Sequence, residues 1–246
     1  RVYFMRKILF LFIMAFALLG GCAKTGKEIV TPIHYGPYSQ SPIPQGSGPG
    51  FSKDVKTMLK AEAEGKKGAM VVATIDKSGV SYFAVGSTGK DALGPPNENT
   101  LFEIGSISKV FTAFALAIAV DKGEVKLSDR YVDHIKGGQE LGIKMNVEIT
   151  LQHLLQHTSG LARLPANLDL SAASVDPYAD YDDQDLINFL KRPNPIRPPG
   201  EAYAYSNTGT GILGWVLAQK EGLEFSGLMQ KRIFDPLQMA DTMVHL

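Results

Sequence analysis

The stretch that decides the fold is residues 101–123, LFEIGSISKVFTAFALAIAVDKG. Between Val110 and Val120 only Thr112 is not apolar. Such a run predicts a helix that is covered on all sides, and it is well short of the roughly 20 apolar residues that span a bilayer. We therefore expect this segment to form the buried central helix of a soluble domain.

A serine and a lysine, Ser106 and Lys109, stand at the head of this apolar run. Residues three apart share one face of a helix, so the hydroxyl and the amine can meet in one cleft. The first turn of a helix carries unpaired backbone amides and the positive end of the helix dipole, which favours an anion on the serine. Apolar surroundings favour a neutral amine, which is a base. The pair predicts acyl transfer through a serine ester.

A second match to the same Ser-x-x-Lys pattern lies at residues 87–90. About one chance match is expected in a chain of this length. This second match follows a predicted strand, contains Gly89 and leads into a Gly-Pro-Pro sequence at residues 94–96 rather than into an apolar helix. A motif is supported only by its structural context, which favours Ser106 as the nucleophile.

The composition is that of an ordinary globular protein. The chain has 246 residues, of which 44% are hydrophobic, and its 25 lysines and arginines equal its 25 aspartates and glutamates. Neither charge forms a long run, so the sequence shows no basic footprint for nucleic acid, and we predict no such partner. The only cysteine is Cys22, which rules out a disulfide within the chain.

The first residues are typical of a targeting segment. A basic start at residues 5–7 is followed by apolar residues 8–19 and by a Leu-Gly-Gly-Cys sequence that ends at Cys22. This pattern resembles the signal peptide of bacterial lipoproteins, in which the cysteine after the cleavage site is acylated. We predict a signal peptide of this type at residues 1–21, with an upstream extension at residues 1–4, and lipidation of Cys22.

Lipidation predicts a protein anchored to the membrane by acyl chains, on the periplasmic side of the bacterial cell envelope. The alternatives are a free thiol after an ordinary signal peptide, or an uncleaved anchor. Residues 22–50 are rich in proline, glycine and serine, which predicts a tether between the membrane and a domain at residues 51–246.

The folded part is predicted to begin with one helix and two strands. Ser52 can cap a helix over residues 51–64, with Val55, Met58 and Leu59 on one face. Residues 69–75 and 80–86 are apolar strands joined by a hairpin turn. Because a two-stranded sheet is marginal by itself, we expect the sheet to be incomplete in this chain. The remaining helices are predicted in a mostly helical region, at residues 151–157, 183–191, 212–219 and 226–234.

Three segments resemble one protein family in their order and spacing. They are FEIGSISK at residues 102–109, LLQHTSGL at 154–161, and Pro-Gly at 199–200 leading to Tyr-Ser-Asn at 205–207. Together they resemble the N-terminal part of the class C β-lactamases and their penicillin-binding and esterase relatives. The resemblance implies an α+β, β-lactamase/transpeptidase-like fold, in which an antiparallel sheet flanked by helices adjoins a mostly helical region.

The resemblance also implies roles for four residues. Ser106 would be the nucleophile, and Lys109 would take or share its proton. Tyr205 would pass protons to the leaving group and activate the deacylating water, and Asn207 would hydrogen-bond the substrate amide. The implied substrates are amide or ester bonds of β-lactams or of peptidoglycan-type D-amino-acid peptides, with no cofactor. The alternatives are a core aromatic at Tyr205, a helix cap at Asn207, and an esterase of the same family.

The sequence departs from the family pattern in one respect. The third family motif, Lys-Thr-Gly on a downstream strand, has no counterpart after Asn207, and the Lys-Thr-Gly at residues 24–26 lies on the wrong side of Ser106. We therefore expect the chain to be part of a longer protein. Losing an oxyanion-hole donor lowers the rate by about 10²- to 10³-fold, so we expect this chain alone to be a poor enzyme.

Two other classes of function, a metal-dependent hydrolase and a non-catalytic binding protein, are alternatives to a serine hydrolase. His153 and His157 are four residues apart on a predicted helix, as metal ligands are, but Leu154 stands where a zinc hydrolase has glutamate and no third ligand is apparent, so we predict no metal. The second class is a non-catalytic, penicillin-binding-like lipoprotein that keeps the fold as a binding module. The sequence leaves the oligomeric state open.

Overall fold

The structure is a computed structural model, and it forms two compact units that divide between Glu103 and Ile104. No described helix is both long and apolar enough to cross a membrane. The predicted signal peptide, Cys22 and the tether lie outside the described residues, as do most of the second Ser-x-x-Lys match and the tip of the hairpin turn. The described residues are 50–65, 68–76, 79–87, 94–97, 100–169, 178 and 180–244.

The first unit contains helix α1, Lys53–Ala63, and two antiparallel strands, β1, Ala69–Asp76, and β2, Gly79–Gly86. The two strands pair along their whole length, and α1 packs against both of them. Helix α1 begins where predicted because the Ser52 hydroxyl accepts a hydrogen bond from the Val55 amide. Of the three residues predicted on one face of this helix, Leu59 is buried and Met58 is 61% exposed.

The second unit is helical. The head of its first α-helix is a 3₁₀ turn that contains Ser106, and its last α-helix runs on into a π-helix. The elements are the 3₁₀ helix Gly105–Ile107, α2 Ser108–Asp121, the 3₁₀ helix Tyr131–His134, α3 Leu151–Leu155, α4 Asp183–Lys191, α5 Asn207–Glu221, α6 Phe225–Met229 and the π-helix Gln230–Phe234.

The central helix of this unit is α5, and the prediction that the apolar run of α2 takes this place is wrong. Helix α5 packs against α2, α3, α6 and the 3₁₀ helix Tyr131–His134, and its Ile212 and Leu213 are fully buried. Gly214 lets this helix approach a neighbour closely, because a Cβ there would lie 2.8 Å from the Phe225 ring. Helix α2 is not covered on all sides, since Ala117 is exposed.

Helix α3 begins where predicted but ends two residues early. The Thr150 hydroxyl accepts a hydrogen bond from the His153 amide, and His153 Nδ1 accepts one from the Thr150 amide. After Leu155 the chain turns, and His157 has a left-handed backbone with φ 57°. The two histidines therefore do not share a helix face. Within the described ranges, no group of three or more His, Cys, Asp or Glu side chains could hold a metal ion.

The segment after α3 is held against the proline-rich loop that leads to Tyr205. The Ile196 amide donates to the Gly160 carbonyl at 2.9 Å, and the Gly200 amide donates to the Thr158 carbonyl at 2.7 Å. Gly160 has φ 74°, and a Cβ at this position would overlap the carbonyl oxygen of Arg197. Only glycine fits here, because it has no Cβ and adopts positive φ readily.

We expect Gly160→Ala to lower the free energy of unfolding by more than about 1–2 kcal/mol, the left-handed backbone penalty alone, since the overlap with Arg197 adds to it. Gly211→Ala is the matched control. Gly211 is an exposed residue of α5 with nothing within 4 Å of its Cβ position, so alanine should stabilise the helix by roughly 0.5–1 kcal/mol. Urea unfolding followed by the fluorescence of Trp215 measures both. Equal effects of the two substitutions would contradict the role given to Gly160.

Candidate active site

The nucleophile predicted from the sequence, Ser106, lies in the 3₁₀ turn immediately before α2, and its side chain is exposed. Lys109 follows in the first turn of α2, and its Nζ donates a hydrogen bond to Ser106 Oγ at 3.3 Å. Residues three apart eclipse one another in a 3₁₀ helix and share a face in an α-helix, so the junction of the two keeps these side chains together.

A third predicted residue reaches the same oxygen from far along the chain. The Tyr205 hydroxyl donates to Ser106 Oγ at 2.6 Å, across a sequence separation of 99 residues. Lys109 Nζ lies 4.9 Å from the centre of the Tyr205 ring, so the ammonium is close to the phenol as well. Lys109 and Tyr205, which were predicted to be catalytic, thus both donate hydrogen bonds to the predicted nucleophile, Ser106 Oγ.

The surroundings of Tyr205 favour its anion. Burial raises the pKa of the phenol, but hydrogen bonds with Lys109 and Ser106 and the positive charges of Lys109 and Arg163 outweigh burial, so the pKa lies below its usual value of 10.0. The Arg163 guanidinium lies 5.2 Å from the centre of the Tyr205 ring. Sequence reasoning missed Arg163, because a single exposed arginine outside any motif carries no signal.

Asn207 is the first residue of α5, and its side chain is not brought to Ser106 by any hydrogen bond between described residues. Its Oδ1 is buried and has no hydrogen-bond partner there, while its backbone amide donates to the Arg163 carbonyl at 2.9 Å. The alternative of a helix cap at Asn207 is wrong. The cap is Ser206, whose Oγ accepts from the Gly209 amide at 2.9 Å and donates to the Ala162 carbonyl at 2.8 Å.

His157 is a further residue of the site, and the sequence analysis gave it no role there. Its Nδ1 accepts a hydrogen bond from the Ser206 amide at 3.2 Å. Its ring lies 4.5 Å from that of Tyr205 and 5.9 Å from that of Tyr203, measured between ring centres. Burial, and next the charge of Lys109, lower the pKa of His157. The sequence signal that could have identified His157 as a site residue is its place within the Leu-Leu-Gln-His-Thr-Ser-Gly-Leu segment, which resembles the family.

This arrangement has the chemistry of an activated hydroxyl. A serine oxygen lies within hydrogen-bond reach of a phenol and an amine, either of which can carry its proton, and cations favour the anionic form of the phenol. An alkoxide formed at Ser106 could attack a carbonyl carbon and form an ester. The exposure of Ser106 leaves that oxygen accessible.

Known proteins that are similar to the chain carry related names. The profile of a family described as Beta-lactamase matches residues 53–246. The chain is 33% identical over 177 residues to a Beta-lactamase of Escherichia coli (strain K12), covering 72% of the chain and 44% of that protein. It is 30% identical over 153 residues to Penicillin-binding protein 4* of Bacillus subtilis (strain 168), covering 61% of the chain and 32% of that protein.

A solved structure, a Beta-lactamase/D-alanine carboxypeptidase from Yersinia pestis complexed with citrate, has the same fold. It superposes with a TM-score of 0.65 at 24% identity, covering 79% of the chain and 57% of that structure. The prediction of an α+β, β-lactamase/transpeptidase-like fold with an incomplete sheet is confirmed. The chain spans less than half of the length of the curated relatives it matches. By the match over residues 53–246, this chain belongs to the Beta-lactamase family.

Proposed function

We propose that the chain carries the acylating site of a serine hydrolase, which attacks an amide or ester carbonyl and forms an acyl ester on Ser106. The observation that carries this proposal is the convergence of Tyr205 and Lys109 on Ser106 Oγ, at 2.6 Å and 3.3 Å. Both distances allow the serine proton to move directly to a neighbouring side chain.

In the first step the Ser106 proton moves to Tyr205 in its anionic form, or to Lys109 in its neutral form, as Oγ bonds to the carbonyl carbon. The charge that develops on the carbonyl oxygen needs donors, and the amides at the head of a helix are suited to this task. When the carbon–nitrogen or carbon–oxygen bond breaks, the stored proton passes to the leaving group. A water then attacks the ester carbonyl and gives its proton to Tyr205. Tyr205 passes this proton to Ser106 Oγ as the ester bond breaks, which restores the serine hydroxyl.

Family membership supports β-lactams or peptides ending in D-alanine as substrates, because relatives are named for the former activity and a structural neighbour for both. We assign substrate binding to Asn207, because it is the last residue of the Tyr-Ser-Asn segment and follows the helix cap Ser206 directly at the start of α5. These substrates share the acyl-serine step and differ in how fast water attacks the ester. A long-lived penicilloyl ester would indicate a penicillin-binding peptidase, fast turnover a class C-like lactamase, and activity on short esters alone an esterase.

We also propose that the protein is exported and lipidated at Cys22, which would anchor it on the periplasmic side of the cell envelope. The proposal rests on the basic, apolar and Leu-Gly-Gly-Cys segments at residues 5–22. A tether at residues 22–50 would let the domain reach peptidoglycan-derived substrates near the membrane.

Incubation with benzylpenicillin should add the whole mass of the drug to Ser106, because opening the lactam ring retains all of its atoms. Ser106→Ala should abolish the adduct. Ser108→Ala is the control, since Ser108 is equally an exposed serine at the head of α2, whereas the Tyr205 hydroxyl donates to Ser106. Intact-protein and peptide mass spectrometry measures both. No adduct on the unaltered chain would favour the non-catalytic alternative, and an adduct on S106A would remove Ser106 from the mechanism.

Tyr205→Phe should slow acylation by about 10²- to 10⁴-fold, because the ring remains while the proton acceptor is lost. Tyr203→Phe, at an exposed tyrosine two residues away, should leave the rate nearly unchanged. In the unaltered chain the rate should rise with pH as the phenol loses its proton, and this rise should lie below pH 10, since the pKa of Tyr205 is lowered. Quenched acylation time courses across pH test this, and a rise that survives Y205F would contradict the role of Tyr205.

Expression of the full chain in a bacterium should yield a mature protein that begins with a diacylglyceryl-modified Cys22 and partitions into detergent. Cys22→Ser should remove the lipid and leave the protein in the aqueous phase. The N-terminal peptide mass and detergent phase partitioning measure the two properties. An unmodified Cys22 in a cleaved or uncleaved chain would overturn the lipidation proposal.

A further inference from the structure

His157 occupies a backbone position that normally belongs to glycine. It is the second residue after α3, it has φ 57°, and the amide of the following residue, Thr158, donates to the His153 carbonyl at 2.9 Å. This is one of the two hydrogen bonds of a Schellman helix end, in which the left-handed residue is usually glycine and sometimes asparagine. A histidine there is strained, and its conformation persists only where surrounding contacts impose it.

The contacts that impose this conformation flank Tyr205 on both sides. The His157 carbonyl accepts the Ala204 amide at 2.7 Å, and His157 Nδ1 accepts the Ser206 amide at 3.2 Å. Between these two bonds the imidazole ring lies against the ring of Tyr205, with 4.5 Å between their centres. One residue thus binds the backbone before and after the phenol and contacts the phenol itself.

We infer that His157 is a positioning residue for the acylation reaction: as a neutral imidazole, it holds Tyr205 against Ser106 and fixes the start of α5 at Ser206. The inference rests on the proposed function and adds a residue to it. Nδ1 must be unprotonated to accept the Ser206 amide, so the proton of the neutral ring sits on Nε2.

The surroundings keep this imidazole neutral. The charged and titratable groups that face it are Lys109 from α2, Tyr203 and Tyr205 from the segment before α5, and Arg163, which lies over the Tyr205 ring. Burial and then Lys109 lower the pKa of His157 below 6.5, and together they outweigh a backbone hydrogen bond at Ser206 that raises it. A histidine whose pKa is lowered by folding stabilises the fold above its unfolded pKa and loses this contribution as the pH falls. The hydrogen bond from the Ser206 amide to His157, which helps to hold Tyr205 in place, should therefore be lost in acid.

Two substitutions separate the hydrogen bond from the backbone conformation. In His157→Asn, Oδ1 takes the place of Nδ1 as acceptor, and asparagine tolerates a left-handed backbone. In His157→Gly, the backbone is relaxed but the acceptor and the ring are lost. The control is Gln238→Gly, because Gln238 is an exposed residue with the same left-handed conformation, φ 54°, and it follows the π-helix near the other end of the unit's sequence.

The experiment measures, on the full chain, acylation by benzylpenicillin and the exchange protection of the Ser206 and Ala204 amides by nuclear magnetic resonance. H157G should lose the protection of Ser206 and slow acylation by roughly 10- to 100-fold, as expected for a displaced catalytic group. H157N should restore both, and Q238G should change neither. In the unaltered chain the protection of Ser206 should fall as the pH drops below 6.5, whereas in H157N it should not.

Two results would overturn the inference: an H157G protein with Ser206 still protected and acylation unchanged, or an H157N protein that acylates no faster than H157G. If the unaltered chain forms no adduct at all, the proposed function fails, and the protection of Ser206 still decides whether His157 holds this segment.

Discussion

The start of α5 is the constraint on which both the core and the candidate site depend. Ser206 Oγ accepts the Gly209 amide and donates to the Ala162 carbonyl, while the Ser206 amide donates to His157. A helix cap of this kind contributes about 0.5–2 kcal/mol. Because Tyr205 directly precedes the cap and Asn207 directly follows it, the bonds that begin the central helix also set the position of the predicted site residues.

Two backbone positions with positive φ lie in the segment beside the site. Gly160 and His157 both have positive φ, and they hold the same segment, one against the proline-rich loop and the other against residues 204–206. Such conformations are retained where neighbouring contacts impose them. The segment that resembles the family at residues 154–161 therefore acts as a support, on which the residues around Tyr205 rest.

The electrostatics of the site follow from two cations placed around one phenol. Lys109 contacts both Ser106 and Tyr205, and Arg163 lies over the Tyr205 ring. Positive charge beside a hydrogen-bonded phenol and serine favours whichever oxygen has lost its proton. The same charge of Lys109 disfavours a proton on His157, so one lysine helps to keep the neighbouring imidazole neutral and the phenol acidic.

The sequence alone determined what short-range interactions decide: the pairing of Ser106 with Lys109, the caps at Ser52 and Thr150, the hairpin and the family. These depend on residues within about one helical turn of each other or on an ordered motif. Only the tertiary structure decided that α5 is central and that Tyr205 reaches Ser106 across 99 residues. The same holds for the hydrogen bond from the Ser206 amide to His157, which spans 49 residues. The glycines that let α5 pack closely make it look like a weak helix in sequence. Contacts between distant segments depend on how the whole chain packs, which no local pattern records.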